Sequence, residues 1–305
     1  MYSGKEVLGE DRLNSSIKTG LLIVALTWFL FTFYEFTKGA SNIFKGTFWI
    51  ELTDTAGTIG LGFRTVASFI AVITILFFIF RKDLSKPELM MSLRWIVLGE
   101  AVCFLSIFPV VIWGLDRLAN VGLSESGLTF LVGSTIPVLF ESVAIPFVLI
   151  KLFFSLNPNK PISNVVKWSL ISGTVYIFMF WLNNASAWIV TVMAQGIEYI
   201  TLYPANIFSF ILTTVGLLAL GLYSAYFTKK SISENQLEKL DLRKVGLIIS
   251  FLSLYFLVIY AMWLLLGSVG GWSDWYAWFL GHNVELWVMT IPLVGVPLLF
   301  KKRIT

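Results

Sequence analysis

A few polar side chains interrupt long apolar stretches of the sequence, and these are the residues whose types could do chemistry. Glu141 stands in VLFESVAIPFVLI, and Asn183 and Asn184 stand in FMFWLNNASAW, ahead of Trp188. An ionised carboxylate in hydrocarbon costs at least ~3 kcal/mol, and an unpaired amide also loses its hydration, so such groups normally face protein, water or a ligand. Glu141 is therefore a candidate for a proton path or for a quinol or haem pocket. The two amides either contact a ligand or simply hydrogen-bond across helices.

Three further candidates, Arg64, His282 and Glu285, lie in other apolar stretches. For Arg64 we expect a structural ion pair with Glu141, Glu285 or Asp54, and a ligand contact is the alternative. His282 and Glu285 are three residues apart and share a helix face. One helix face supplies two metal ligands, whereas zinc usually needs three or four, and the chain has no second histidine. We therefore predict no metal site.

The composition predicts what positions these residues. Mean hydropathy is +0.82, and 13% of residues are charged, against roughly a quarter in soluble domains. The sequence thus predicts an all-α, polytopic membrane bundle that forms a single domain over residues 1–305. Eight apolar stretches have the length of about 20 residues that is needed to cross a bilayer. The predicted spans are 18–38, 58–80, 93–115, 128–153, 165–195, 205–228, 244–267 and 275–300.

The basic residues predict the orientation of the spans. Most Lys and Arg residues fall in the N-terminal tail (1–17), in the turns at 81–94 and 151–167, in the loop at 229–244 and in the last five residues. These segments alternate with connections that hold few basic residues, so the positive-inside rule predicts a multi-pass cell-membrane protein with both termini in the cytoplasm. Topology also explains the net charge of +4, so no nucleic-acid partner is expected beside the membrane lipid.

This topology, with a helical rise of about 1.5 Å per residue, places most of the polar candidates in the outer half of the bilayer. Glu141 lies nearer the middle, and Glu100 lies two turns from the cytoplasmic end of its span. We expect the outer group to converge on one outward-facing binding pocket. Its predicted members are Arg64, Glu141, Asn183, Asn184, Trp188, His282 and Glu285.

Several short motifs resemble those of a known family. They are Phe140-Glu141-Ser142, the turn with Pro158 and Pro161, Gly173-Thr174, Phe180-Trp181, Asn183-Asn184 and Trp188. This series resembles the third and fourth helices of subunit I of the quinol-oxidising cytochrome bd oxidases, and a weaker similarity extends over residues 50–265. The resemblance implies that Glu141 matches the family glutamate associated with the high-spin haem and its proton pocket.

The chain departs from that family at the haem ligands. Haem iron needs an axial ligand. The family supplies histidines from its first and fifth helices, whereas the predicted helices at 58–80 and 205–228 hold none. The resemblance therefore implies a haem-ligand-depleted relative, without a complete catalytic site, that binds quinol or anchors a haem-carrying partner in a respiratory electron-transfer complex. The membrane B subunit of an archaeal b-type cytochrome, which pairs with an exported cytochrome, is one description that such a chain satisfies.

Two other classes of function stay open. In a small-solute or ion transporter, Arg64 and Glu141 would line a path across the membrane, although no inverted repeat is visible in the sequence. An intramembrane enzyme acting on lipid substrates is the weaker alternative. The sequence shows no acidic pair at metal-binding spacing and no Ser/His arrangement that would supply its chemistry.

Overall fold

Backbone amides in hydrocarbon must be satisfied within the chain, which favours helices wherever the sequence is long and apolar. The computed structural model describes residues 48–80, 86–122, 124–202 and 204–234, and residues 22–41 in part. All regular secondary structure within these ranges is helical. The predicted all-α class is therefore confirmed for the described part of the chain.

The described helices follow one another along the chain, and the two π-helical segments are continuous with the α-helices on either side of them. An N-terminal helix includes residues 32–40, and residues 22, 25–26 and 29–30 are also helical. It is followed by α1 (Phe48–Phe80), α2 (Lys86–Ser106), α3 (Phe108–Val121), α4 (Glu125–Phe130), π1 (Leu131–Thr135), α5 (Ile136–Ser155), α6 (Ile162–Gln195), α7 (Glu198–Leu202), α8 (Pro204–Phe210), π2 (Ile211–Gly216) and α9 (Leu217–Ser233).

Local sequence explains several helix ends. Gly122 and Gly196 directly follow α3 and α6, and their positive φ angles of 67° and 81° are ones that glycine adopts without a steric cost. The Ser124 hydroxyl accepts a hydrogen bond from the backbone N–H of Gly127 and so caps the start of α4. Pro161, in extended conformation, directly precedes α6.

In the bundle, some helices pack against the next helix in the chain and others pack against a helix that is distant in the sequence. The most extensive contacts are those of α1 with α2, α2 with α5, α5 with α6, and α6 with α9. The N-terminal helix contacts α1, where the hydroxyls of Thr32 and Ser68 lie 2.9 Å apart. The buried core includes Met90, Ile145, Leu149 and Tyr176, while large apolar side chains such as Phe69, Phe147, Phe154 and Leu222 are exposed on the outside of the bundle.

Five helical stretches within the described ranges are long and apolar enough to cross a membrane. They run over Leu52–Thr74, Met90–Val121, Ser126–Ser155, Ser163–Gln195 and Asn206–Ser233. They coincide with the five spans predicted between residues 58 and 228. The predicted span at 18–38 overlaps the partly described N-terminal helix, and the spans at 244–267 and 275–300 lie outside the described residues. The total of eight and the side on which the termini lie therefore stay predictions.

The helices extend beyond several predicted span boundaries. Helix α1 begins at Phe48 and α2 at Lys86, whereas the predicted spans began at 58 and 93. Helix α9 continues to Ser233, inside the segment predicted as the 229–244 loop. The physical reason is that hydropathy marks the apolar part of a helix, whereas its hydrogen bonds continue through polar flanking residues.

Two π-helical turns precede α5 and α9, and both pack on α6. In π1 the backbone N–H of Ile136 donates to Leu131, five residues earlier. Pro137 follows at once and has no N–H to donate to Gly133, so the α-helical ladder is interrupted at this point. Single π turns inside α-helices are frequent at functional sites.

Candidate functional site

The structure brings Glu141 and Asn183 into direct contact. Glu141 lies on α5 and Asn183 on α6, and the Asn183 amide Nδ2 donates a hydrogen bond to Glu141 Oε1. Both side chains are partly buried. The two helices are joined by the short turn at residues 156–161, so they form a hairpin. The carboxylate predicted from the sequence therefore faces protein and is oriented by a neutral amide.

Arg64 forms a buried ion pair with Glu100, on the neighbouring helix α2. Its Nη2 lies 3.0 Å from Glu100 Oε2, and its Nε donates to the same oxygen at 3.2 Å. The exposed fractions of the two side chains are 9% and 3%. The ion pair expected for Arg64 is therefore present, with a partner that is not among those the sequence predicts.

The residues at which α1 and α2 begin explain why Arg64 and Glu100 lie at the same level. Because α1 begins at Phe48, Arg64 is the middle residue of that helix and not a residue near its outer end. Because α2 begins at Lys86, Glu100 lies four turns into α2, at the level of Arg64. The two residues therefore lie at the same level of the bundle, and their depth in the membrane stays a prediction.

Three buried aromatic rings connect the ion pair to α6. The Arg64 guanidinium carbon lies 4.9 Å from the centroid of the Phe104 ring. Phe104 contacts Tyr176 edge to face, with 5.6 Å between centroids, and the Tyr176 and Phe180 centroids are 6.3 Å apart. Since Asn183 follows Phe180 by three residues on α6, the ion pair and the Glu141–Asn183 contact are neighbouring parts of one core.

Asn184 and Trp188 make different contacts from Asn183. The Asn184 amide donates to the backbone carbonyl of Phe180, in its own helix, at 2.8 Å. The Trp188 indole N–H donates to Thr213 Oγ1, in π2, at 3.1 Å. These residues support the packing of α6, whereas Asn183 reaches the carboxylate. His282 and Glu285 lie outside the described residues.

An open cleft of about 590 Å³ lies between α4, π1 and the end of α6. Ala187, Val190 and Ala194 form its α6 wall, and they continue the helix face of Asn183. The Arg117 guanidinium carbon lies 5.0 Å from the Phe130 ring centroid at the opposite wall. The described lining residues are Arg117, Ser126, Thr129, Phe130, Gly133, Ser134, Ala187, Val190 and Ala194.

Sequence reasoning did not identify this cleft. Arg117 lies between the predicted spans at 93–115 and 128–153, and serines, threonines and alanines are common in membrane helices. One signal was present: Ser126, Thr129 and Ser134 place three hydroxyls within nine residues, shortly after Arg117. That pattern becomes specific only when the fold places α6 beside it.

The residue types of the described helices do not fit a haem with a histidine ligand. Within the described ranges, no group of three or more His, Cys, Asp or Glu side chains could hold a metal ion. The single histidine of the sequence is His282, so a haem with two histidine ligands would need a ligand from outside these 305 residues.

Comparisons with known protein families, with curated proteins and with solved structures find no match to this chain. The functional interpretation therefore depends on the contacts of its own side chains. In the Glu141–Asn183 pair, the titratable carboxyl group is only partly buried and is therefore partly accessible. The Arg64–Glu100 pair is almost fully enclosed, and its two charges compensate each other.

Proposed function

We propose that this protein is a membrane subunit of a respiratory electron-transfer complex and that it binds quinol and accepts a proton from it at Glu141. The hydrogen bond from Asn183 to Glu141 is the observation that carries the proposal. A carboxylate held by a positioned amide between two apolar helices is oriented, and a general base needs such an orientation. The resemblance of this segment to subunit I of the cytochrome bd oxidases supports quinol as the substrate.

In the proposed reaction, this chain accepts a proton from the quinol and a partner subunit accepts the electrons. Oxidation of one quinol to quinone releases two protons and two electrons. Glu141 accepts one proton from a quinol hydroxyl, and water at the membrane surface accepts the other. A haem in an exported or membrane cytochrome subunit would take the two electrons one at a time, because ferric haem iron accepts a single electron and must be reoxidised before it accepts the second. This chain supplies the binding site, the orientation and the base, and the electron acceptor belongs to its partner.

The test is quinol-dependent electron transfer in the complex purified with its membrane partners. Replacing Glu141 with Gln keeps the size and hydrogen-bonding ability of the side chain but removes the base. The rate should fall by about 100-fold or more, as for the loss of a general base. An unchanged rate would confine Glu141 to a structural role. A haem bound stoichiometrically by this chain alone, seen in a reduced-minus-oxidised spectrum, would contradict the proposal that the haem belongs to a partner subunit.

A small-solute or ion transporter is the second candidate. The buried Arg64–Glu100 pair favours it, because charged groups in the middle of membrane helices often belong to transport pathways. Uptake of a solute or ion by reconstituted vesicles, in the absence of any redox partner, would decide for this function. Quinol-dependent electron transfer without such uptake would decide against it.

A further inference from the structure

We infer that the cleft between α4, π1 and the end of α6 holds the ring of the quinol head group. This inference rests on the proposed function and adds the location and the ring-binding residues. The cleft volume of about 590 Å³ lies within the range of about 300–1,000 Å³ that is usual for small-ligand sites. It is therefore large enough for a substituted six-membered ring with the first part of an apolar tail.

Small residues keep the cleft open. Gly133 lies on one wall, and Ala187 and Ala194 lie on the other. A Cβ atom added at Gly133 would lie 2.7 Å from Val190 Cγ2, so the two walls meet closely at this point. A larger residue at position 133 would require the Val190 side chain or α6 to shift. The space beside this contact exists because residues 187 and 194 have short side chains.

The lining chemistry suits a flat ring that carries oxygens. Ser126, Thr129 and Ser134 supply hydroxyls, which can donate to a quinone oxygen or accept from a quinol hydroxyl. Phe130 supplies an aromatic face, and Arg117 supplies a charged donor beside it. Arg117 carries the one full charge among the described lining residues, which disfavours a multiply charged anion.

The position of the cleft connects the ring to the proposed base. Ala187 lies one helical turn beyond Asn183 on the same face of α6, a rise of about 6 Å. Ser134 lies two turns before Glu141 in the helix that contains π1 and α5. A ring seated against Ala187 would lie about one helical turn from Asn183, whose amide binds Glu141, and the proton would pass to Glu141 through bridging water. The π turn displaces Gly133 and Ser134 around the helix relative to a continuous α-helix.

The inference is tested by filling the cleft. Ala187→Phe should raise the KM for a short-chain quinol at least 10-fold in the purified complex. Ile189→Phe adds an aromatic ring to the same helix at a side chain that is 49% exposed on the outside of the bundle, so its KM should stay within 2-fold of the unaltered complex. Arg117→Gln, which keeps most of the side-chain volume, provides a second variant if Ala187→Phe does not assemble, and it should also raise the KM.

Photolabelling with a short-chain azidoquinone locates the ring directly. Label within residues 126–134 or 187–194, reduced by excess quinone, supports the inference.

An unaltered KM in both cleft variants, or label elsewhere in an active complex, would overturn the location while leaving the proposed function intact. Protection by vesicles of anionic phospholipid and not by quinone would assign the cleft to a lipid head group and would also overturn it. Absence of quinol-dependent electron transfer in the unaltered complex would overturn the proposed function itself.

Discussion

Asn183 and Asn184 have identical side chains and are adjacent in the sequence, yet they make different contacts because they lie on different faces of α6. Successive residues on an α-helix are rotated by about 100°, so neighbours face different surroundings. The Asn183 amide reaches Glu141 on α5, whereas the Asn184 amide donates to the Phe180 carbonyl of its own helix. These adjacent residues provide a matched pair of substitutions.

We expect Asn183→Ala to lower the rate of quinol-dependent electron transfer by roughly 10-fold to 100-fold. A hydrogen bond to a charged group is worth about 1.5–3 kcal/mol, and tenfold in rate corresponds to about 1.4 kcal/mol. Asn184→Ala should stay within about 2-fold, because the Phe180 carbonyl keeps its helical hydrogen-bond environment. Equal losses in the two variants would show that Asn183 acts only through helix packing.

The Arg64–Glu100 pair predicts a non-additive effect on stability. Arg64→Leu leaves Glu100 as a buried carboxylate without its guanidinium partner, and breaking a buried pair in this way costs about 3–5 kcal/mol. The double variant Arg64→Leu with Glu100→Leu removes both charges and should regain most of that loss. Thermal unfolding of the detergent-solubilised protein measures both. A double variant as unstable as the single one would mean that the ion pair itself supplies the stability.

At the scale of elements, α1 and α2 approach closely because small residues lie between them. A Cβ atom added at Gly99 of α2 would lie 2.5 Å from Ala67 Cβ and 2.8 Å from the Phe63 carbonyl oxygen, both on α1. Neither of these atoms can move as a flexible side chain would. This contact lies one residue from Glu100, so the same close approach positions the carboxylate beside Arg64.

Gly99→Ala should therefore destabilise the protein by about 1–3 kcal/mol, the usual cost of overpacking. The control is Gly57→Ala in α1, where an added Cβ would have nothing within 4 Å. That change should be neutral or stabilising by about 0.5–1 kcal/mol, because alanine loses less backbone entropy than glycine in a helix. Thermal unfolding in detergent compares the two, and equal effects would contradict the close approach of α1 and α2.

At the scale of the whole molecule, the orientation of the bundle can be tested with introduced cysteines. Cys103 is the one cysteine of the chain and is buried, so Cys103→Ala gives a background without thiols. Asn120, near the end of α3, and Asn159, in the turn between α5 and α6, are both exposed. A membrane-impermeant thiol reagent applied to intact cells should label Asn120→Cys and not Asn159→Cys. The reverse pattern would invert the predicted topology.

The sequence predicted the helices well because their cause is local. An apolar stretch in a membrane must satisfy its own amides, and an α-helix does so within one segment. Hydropathy therefore located five spans that the described structure also contains. It did not locate their ends, because α1 and α2 continue through polar residues such as Glu51, Asp54, Lys86 and Glu88.

The sequence by itself determined that Glu141, Asn183 and Arg64 need polar surroundings, since their desolvation cost depends on residue type and depth alone. Only the tertiary structure decided which groups provide those surroundings. Arg64 is beside Glu100 because small residues fix how α1 and α2 pack, and the cleft lies where π1 and α6 meet at Gly133 and Val190. Contacts of this kind depend on the register between helices that are distant in sequence, and no single segment encodes that register.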